Sequence, residues 1–380
     1  MTSAMMRLLD PFRKQRHRAF EEAIRDGDIL AALDRFEQAA EAYAKAVSIE
    51  PGSSNAHFKM GMAYAGIRRY LEATECFRRA VSLNSEDAVA LYNLGVALGE
   101  MGRYEEAVTS LGRAIEIDPD DAEAHCNLGV AYEATGQYEK AAHEYELAIR
   151  IGLVFADEVP NTYCRLGRVY CELGSYDEAI SSLNHAVSLN PGFAEAYSLL
   201  GEAHMLTSSY EEGIAACKQA IRLQPDDADS YYKLGVAYDN TGFYDEAIEA
   251  YKHLERLKPG DALAPYLLGG MYQGLGRYEE AIAAWRRVIV MKPDDALAHT
   301  NLGLAYSGVG RFEEAIQACS EAIRLKPQMA GAHYYLGRMH AAVGDKDGAI
   351  RQYKVLLELN QELADRLLKA AELECRASEC

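Results

Sequence analysis

The sequence predicts an all-α solenoid of about ten helix pairs, and three ladders of residues predict it. Gly61, Gly95, Gly129, Gly167, Gly201, Gly235, Gly269, Gly303 and Gly337 recur at a step of 34 residues, except for one step of 38 between Gly129 and Gly167. Gly27 lies 34 residues before Gly61 and marks a worn first copy. A second ladder runs through Ala39, Ala73, Ala107, Ala141, Ala179, Ala247, Ala281, Ala315 and Ala349, with Gly213 in the slot of the sixth copy. A third is Pro51, Pro119, Pro191, Pro225, Pro259, Pro293 and Pro327. Self-similarity at a fixed period of this size is the mark of a stacked repeat, in which each unit buries its apolar face against its neighbours.

Residues 88–121 show the unit most clearly. Leu91, Leu94, Gly95, Ala97 and Leu98 share one face of a first helix, and Tyr104, Ala107, Leu111 and Ala114 share one face of a second. Apolar residues every three or four positions give helical spacing. Gly102 supplies the turn between the two, and Pro119 ends the second helix because proline cannot continue one. Small residues at fixed positions let the paired helices approach closely. Cys217 and Cys319 occupy the second-helix slot held elsewhere by Phe77, Tyr145 or Tyr251, and are expected to be buried.

With its L-G, Y, A, F/Y and P positions at period 34, the pattern resembles the tetratricopeptide repeat over residues 20–363. The resemblance implies a right-handed α-solenoid whose first helices line a concave groove. Residues 1–19 are then expected to be a basic N-terminal segment or capping helix, 20–363 the ten repeats with a four-residue insertion near 156–159, and 364–380 a C-terminal capping helix.

The departures from regularity are few. Asp10–Pro11 reads as a helix start, N-cap followed by proline, with Phe12, Ala19, Phe20, Ala23 and Ile24 turned to the core. Arg7, Arg13, Lys14, Arg16 and Arg18 make this segment basic, which suits a solvated cap, a dock for an anionic lipid surface or acidic partner, or contact with the chain's own acidic surface. In the insertion, Leu153, Val154, Phe155 and Val159 are expected to pack inward on a prolonged second helix. Gly269, Gly270, Gly274 and Gly276 make copy eight either soft or a place of close backbone contact. At the C-terminus Leu363, Leu367 and Ala371 give an amphipathic helix that covers the last open face.

A formal net charge of −19 disfavours nucleic acid, which asks for a basic face. Asp120–Asp121, Asp226–Asp227 and Asp294–Asp295 read as solvated acidic turns. The eight cysteines show no CxxC and no disulfide framework, which fits a reducing, cytoplasmic compartment. There is no apolar run of signal-peptide or membrane-spanning length, so membrane contact is expected only through the basic N-terminus. No nucleotide, zinc-protease or serine-hydrolase motif occurs, and no enzyme activity, cofactor or metal is expected. His57, His125, His299 and His333 share a repeat position with Leu91 and Tyr163, so they read as packing residues. Cys126, Cys164 and Cys171 fall on groove positions of adjacent copies but lack any metal-ligand spacing, and read as groove lining.

The resemblance implies that a non-enzymatic scaffold or adaptor holds a protein or peptide in its groove. Other roles for such a fold are a recruiting or regulatory subunit of an enzyme on another chain, or a peripheral membrane adaptor. The sixth position of the first helices reads Lys59, Asn93, Asn127, Arg165, Leu199, Lys233, Leu267, Asn301 and Tyr335, where the family uses asparagine to hold a peptide backbone. The fifth carries the aromatic faces of Tyr92, Tyr232 and Tyr266. The Lys and Asn of the family's chaperone-type carboxylate clamp are missing from every copy. Arg165, Arg168 and Lys233 make the middle of the groove basic in an acidic protein, and suit a partner's carboxylate, unless the two arginines merely balance Glu133, Glu172 and Glu202.

Overall fold

The computed structural model describes residues 3–152 and 158–377. Among these, all regular structure is helical, twenty-one helices in chain order. They divide into two compact units, Met1–Ala203 and His204–Cys380, taken here in turn.

The first unit opens with α1 (Ser3–Ala32) and continues as antiparallel pairs: α2 (Phe36–Ile49), α3 (Ser54–Gly66) with α4 (Tyr70–Leu83), α5 (Ala88–Glu100) with α6 (Tyr104–Ile117), α7 (Ala122–Ala134) with α8 (Tyr138–Ile151), and α9 (Glu158–Glu172) with α10 (Tyr176–Leu189). α11 (Ala194–Leu206) carries the division between the units. Within each pair the glycine ladder is an interlock. A Cβ on Gly27, Gly61, Gly95 or Gly129 would lie 2.4, 2.7, 2.5 or 2.7 Å from the side chain of Tyr43, Phe77, Leu111 or Tyr145, sixteen residues further on. The alanine ladder lies on the facing side, with Ala39, Ala73, Ala107 and Ala141 fully buried. Gly27 behaves as the later copies do, so the worn first copy keeps the same interlock.

The turns follow from backbone chemistry. Gly102, Gly136 and Gly174 sit at φ of +72°, +71° and +74°, where a side chain is disfavoured. Asp34 and Arg68 hold the same conformation at +56° and +58° without that freedom. The acidic turns are more than solvated loops. Asp87 and Asp121 accept hydrogen bonds from the main-chain N–H of Ala90 and Ala124 at 3.0 and 2.9 Å and so cap α5 and α7.

Two expectations fail in this unit. The N-terminal helix begins at Ser3, so Pro11 lies inside it and not at its first position; the residues before Pro11 continue the helix at the cost of the one N–H that proline lacks. The helix before the insertion does not run on. α8 stops at Ile151, where Gly152 turns the chain at φ +102°. Leu153, Val154 and Phe155 lie outside the described residues, while Val159 is half-buried in the first turn of α9.

The second unit repeats the plan with α12 (Tyr210–Leu223), α13 (Ala228–Asn240) with α14 (Tyr244–Leu257), α15 (Leu263–Gly274) with α16 (Tyr278–Met291), α17 (Ala296–Gly308) with α18 (Phe312–Leu325), and α19 (Ala330–Ala342) with α20 (Lys346–Leu359). Gly235, Gly269 and Gly303 meet Tyr251, Trp285 and Cys319 at 2.4, 2.6 and 2.5 Å from an added Cβ. Asp227 and Asp295 cap α13 and α17. Cys217 and Cys319 are fully buried, as their slot predicts. Last comes α21 (Gln361–Ala377), which seats Ala364 and Leu367 against α19 and α20. There Leu367 takes the place over Gly337 that a second-helix residue takes elsewhere.

Candidate functional site

The groove-facing positions of the first unit are organised by carboxylates that reach down to the core. Tyr145, buried on α8, donates its hydroxyl to Glu133 Oε2 at 2.7 Å. Burial, with Glu133 beside it, pushes the Tyr145 phenol above its usual pKa. The same carboxylate receives two cations from α9. Arg168 closes on Glu133 Oε1 at 2.8 Å through Nη2, while Arg165 reaches Oε2 only at 3.5 Å through Nη1. Arg168 also contacts Glu195 at 3.1 Å. The arginines therefore balance Glu133, as one sequence alternative has it, but their second carboxylate is Glu195 on α11.

A related arrangement, with its acid fifteen residues before the tyrosine where Glu133 is twelve before Tyr145, stands near the N-terminus. Tyr43 donates to Asp28 Oδ1 at 2.7 Å, and Lys59 of the following copy pairs with the same oxygen. In both places a buried tyrosine, an acid on the first helix of its copy and a cation on the first helix of the next form one chain of contacts.

Other predicted groove residues are held locally. Asn93 donates to the Val89 carbonyl at 2.8 Å, and Asn127 donates to the Glu123 carbonyl at 2.9 Å and to the Tyr92 hydroxyl at 3.3 Å. These amide nitrogens are engaged with their own neighbourhood. Near them burial, with Glu158 and Asp121, holds the Glu123 carboxyl above the usual carboxylate range. In the second unit Lys233 is buried and pairs with Asp229 at 2.6 Å. It does not add an open positive charge, because the i, i+4 carboxylate one turn back draws it along the helix. Tyr232 and Asn301 are half-buried, and Tyr266 stands edge-to-face on Trp285 with centroids 5.0 Å apart.

Beside Tyr266 lies a cavity of about 430 Å³, lined by Asp239, Tyr244, Tyr251, Gly270 and Gly274 among others. Gly66 and Gly308, at the repeat position of Gly274, are needed there because Phe36 and Tyr278 pack within 3.0 and 2.6 Å of an added Cβ. Gly270 and Gly274 meet nothing within 4 Å, so no neighbour requires them to be glycine. Gly270, inside α15, costs its helix about 1 kcal/mol relative to alanine.

The histidines of the shared position do more than pack. The Nε2 atoms of His57, His125, His299 and His333 lie 3.1, 3.1, 3.0 and 2.9 Å from the carbonyls of Pro51, Pro119, Pro293 and Pro327. Each ties the start of a helix to the turn before it, a contact open to histidine and closed to the Leu91 that shares the position. The cysteines divide as their burial dictates. Cys164 is buried, not groove-lining, and burial pushes its thiol up to about 12; Cys126 contacts Thr162 at 3.4 Å. No group of histidine, cysteine, aspartate and glutamate that could hold a metal occurs among the described residues. At the N-terminus Arg16 donates to the Ile49 carbonyl at the end of α2 at 2.9 Å, and His17 faces Glu50 at 3.5 Å, so part of the basic cluster is turned onto the chain itself. No described helix is long and apolar enough to cross a membrane.

Family models agree with this architecture along most of the chain. Those described as TPR repeat match residues 100–136, 167–208 and 207–242. Those described as tetratricopeptide repeat match 27–53, 54–87, 76–109, 122–152, 232–296, 266–330 and 300–364. The chain belongs to the tetratricopeptide repeat family, whose members are protein-interaction modules. Among solved structures it is similar to YrrB, a TPR protein with an unusual peptide-binding site, at 26% identity over 51% of this chain and 98% of that one, with a TM-score of 0.45. It is also similar to MamA from Desulfovibrio magneticus RS-1, at 28% identity over 44% of this chain and 96% of that one, with a TM-score of 0.42. Yeast Tom70 matches 96% of this chain and 97% of its own at 12% identity and a TM-score of 0.38. No curated protein matches the chain.

Proposed function

We propose that the protein is a non-enzymatic scaffold that holds an extended segment of a partner protein along the first-helix face of its first unit, with Arg165 taking a carboxylate of that partner. The observation that carries this reading is the unequal engagement of the two arginines. Arg168 is fixed between Glu133 and Glu195, whereas Arg165 reaches Glu133 only at 3.5 Å, lies beside the Tyr145 hydroxyl and keeps 41% of its side chain exposed. Arg168, Glu133 and Tyr145 then act as the support that aims Arg165, with Tyr92 and the carbonyl of Asn127 alongside for the partner's backbone. A guanidinium held this way offers a directional, bidentate contact to a carboxylate. Residence in a reducing compartment such as the cytoplasm goes with this reading, since Cys76, Cys164 and Cys319 are buried as packing residues of their helix pairs.

The test is binding by variants of the full chain. A partner is first recovered by affinity capture from native lysate, and its affinity is then measured for Arg165→Ala and Arg168→Ala with thermal melts alongside. Arg165→Ala is expected to weaken binding about tenfold or more with little change in melting temperature. Arg168→Ala is expected to weaken binding and also to destabilise. Unchanged affinity in a folded Arg165→Ala protein defeats the reading and moves the search to Tyr92.

A further inference from the structure

In the first unit, two tyrosine-backed acids are each completed by a cation from the first helix of the next copy: Asp28 by Lys59, and Glu133 by Arg165 and Arg168. The second unit has an acid at the same repeat position as Glu133. Asp239 stands twelve residues before the buried Tyr251, as Glu133 stands twelve before Tyr145, and both Asp239 and Tyr251 line the 430 Å³ cavity. The following copy supplies no cation here. Leu267 holds the position of Lys59 and Arg165, and Gly270 holds that of Arg168. Where the other two acids face a cation, Asp239 faces a cavity. Gly270 and Gly274 contribute no side chain to the lining, which Tyr244 and Tyr266 share. Gln273, the neutral counterpart one copy on, accepts from Trp285 at 3.1 Å and is followed by neutral Asn301 at the cation position.

We infer that this cavity is a binding site for a lysine or arginine side chain of another polypeptide, which supplies the cation that the chain omits. The stem of such a side chain lies along Gly270 and Gly274, and its charge meets the Asp239 carboxylate and the faces of Tyr244 and Tyr266. Cations of this chain already settle on tyrosine rings elsewhere in the unit, as Arg277 does on Tyr272 at 4.8 Å and Lys218 on Tyr238 at 5.4 Å. The site differs in place and charge from the one proposed at Arg165 and stands or falls independently of it.

The experiment uses the full chain with its methionine methyl groups labelled, because Met271 lines the cavity. Three blocked pentapeptides, glycine throughout except for a central arginine, citrulline or norleucine, are titrated and followed by NMR. The arginine peptide is expected to shift the Met271 methyl resonance saturably, to bind at least about tenfold more tightly than the neutral citrulline isostere, and to weaken as salt is raised. Asp239→Asn should remove that preference, and Gly270→Leu should block binding, with circular dichroism confirming that both variants are folded. Norleucine binding as tightly as arginine would make the cavity a plain apolar slot and overturn the proposal. So would an arginine peptide that leaves the Met271 signal unmoved, or one that binds Asp239→Asn undiminished.

Discussion

The hydroxyl of Tyr145 donates to Glu133 at 2.7 Å, and so a residue of the core holds a carboxylate of the groove. The pairing is matched across copies: Trp285 donates to Gln273 in the same way, while Ala65 and Gly99, which offer no side-chain acceptor, stand opposite Phe77 and Leu111. Tyr145→Phe should therefore lower stability by about 1.5 kcal/mol, the worth of a hydrogen bond to a charged group. The reverse change, Phe77→Tyr, buries a hydroxyl opposite Ala65 and should also destabilise. Urea melts of the two variants check both, and a Tyr145→Phe protein as stable as the parent would show that the bond contributes nothing.

Glycines in the same fold should respond in opposite directions. Gly95→Ala drives a methyl to 2.5 Å from Leu111 and is expected to cost about 1–3 kcal/mol. Gly112 lies inside α6 with nothing within 4 Å of an added Cβ, so Gly112→Ala should stabilise by up to about 1 kcal/mol. Arg68→Gly should stabilise for a third reason, since Arg68 holds φ +58° at a cost glycine does not incur. Thermal unfolding of the three variants settles the signs.

Ala107 and Ala134 separate the core face from the groove face. Ala107 is fully buried where α5 and α6 cross, and Ala134 is exposed at the end of α7. Leucine at 107 should cost about 1–3 kcal/mol, and leucine at 134 much less. Equal losses by calorimetry would mean that the two faces are wrongly assigned.

Thiol chemistry should follow burial. Desolvation pushes Cys76 up to about 11, and Cys164 and Cys319 up to about 12, so almost none of each is thiolate at pH 8. Iodoacetamide at that pH should leave all three unmodified in the native protein and alkylate them in urea, as read by peptide mass spectrometry. Rapid native labelling of Cys164 would show that the region around α9 opens readily.

Much of this fold was legible because one spacing carries it. A glycine on the first helix and an alanine on the second, each recurring every 34 residues, announce two helices in close contact, and the contact is what the structure contains. The candidate site was less legible. Arg165 and Arg168 stood out as cations on groove positions, but side-chain spacing along one helix does not say which acid of a neighbouring helix they meet, and Glu195 went unnamed. Lys233 adds no open charge because Asp229, one turn back on its own helix, pairs with it. The histidines hid behind Leu91: a position that accepts leucine looks apolar, although an imidazole there also reaches the carbonyl of a proline six residues earlier. The Glu133–Tyr145 pair did leave a signal, a polar residue and an aromatic donor twelve apart, but that separation is neither the helical nor the repeat period.

The glycine interlock closes within a single hairpin, since Gly95 and Leu111, or Gly129 and Tyr145, belong to the same copy. Unequal exchange between two copies of the coding sequence, cut at equivalent points, would then join whole hairpins to whole hairpins and leave these interlocks intact. The ion pairs behave differently. Asp28 with Lys59 and Glu133 with Arg168 each straddle two copies, and any such exchange between them would separate acid from base. The length of the array is thus free to drift over generations, while the charged pairs record which neighbour belongs beside which.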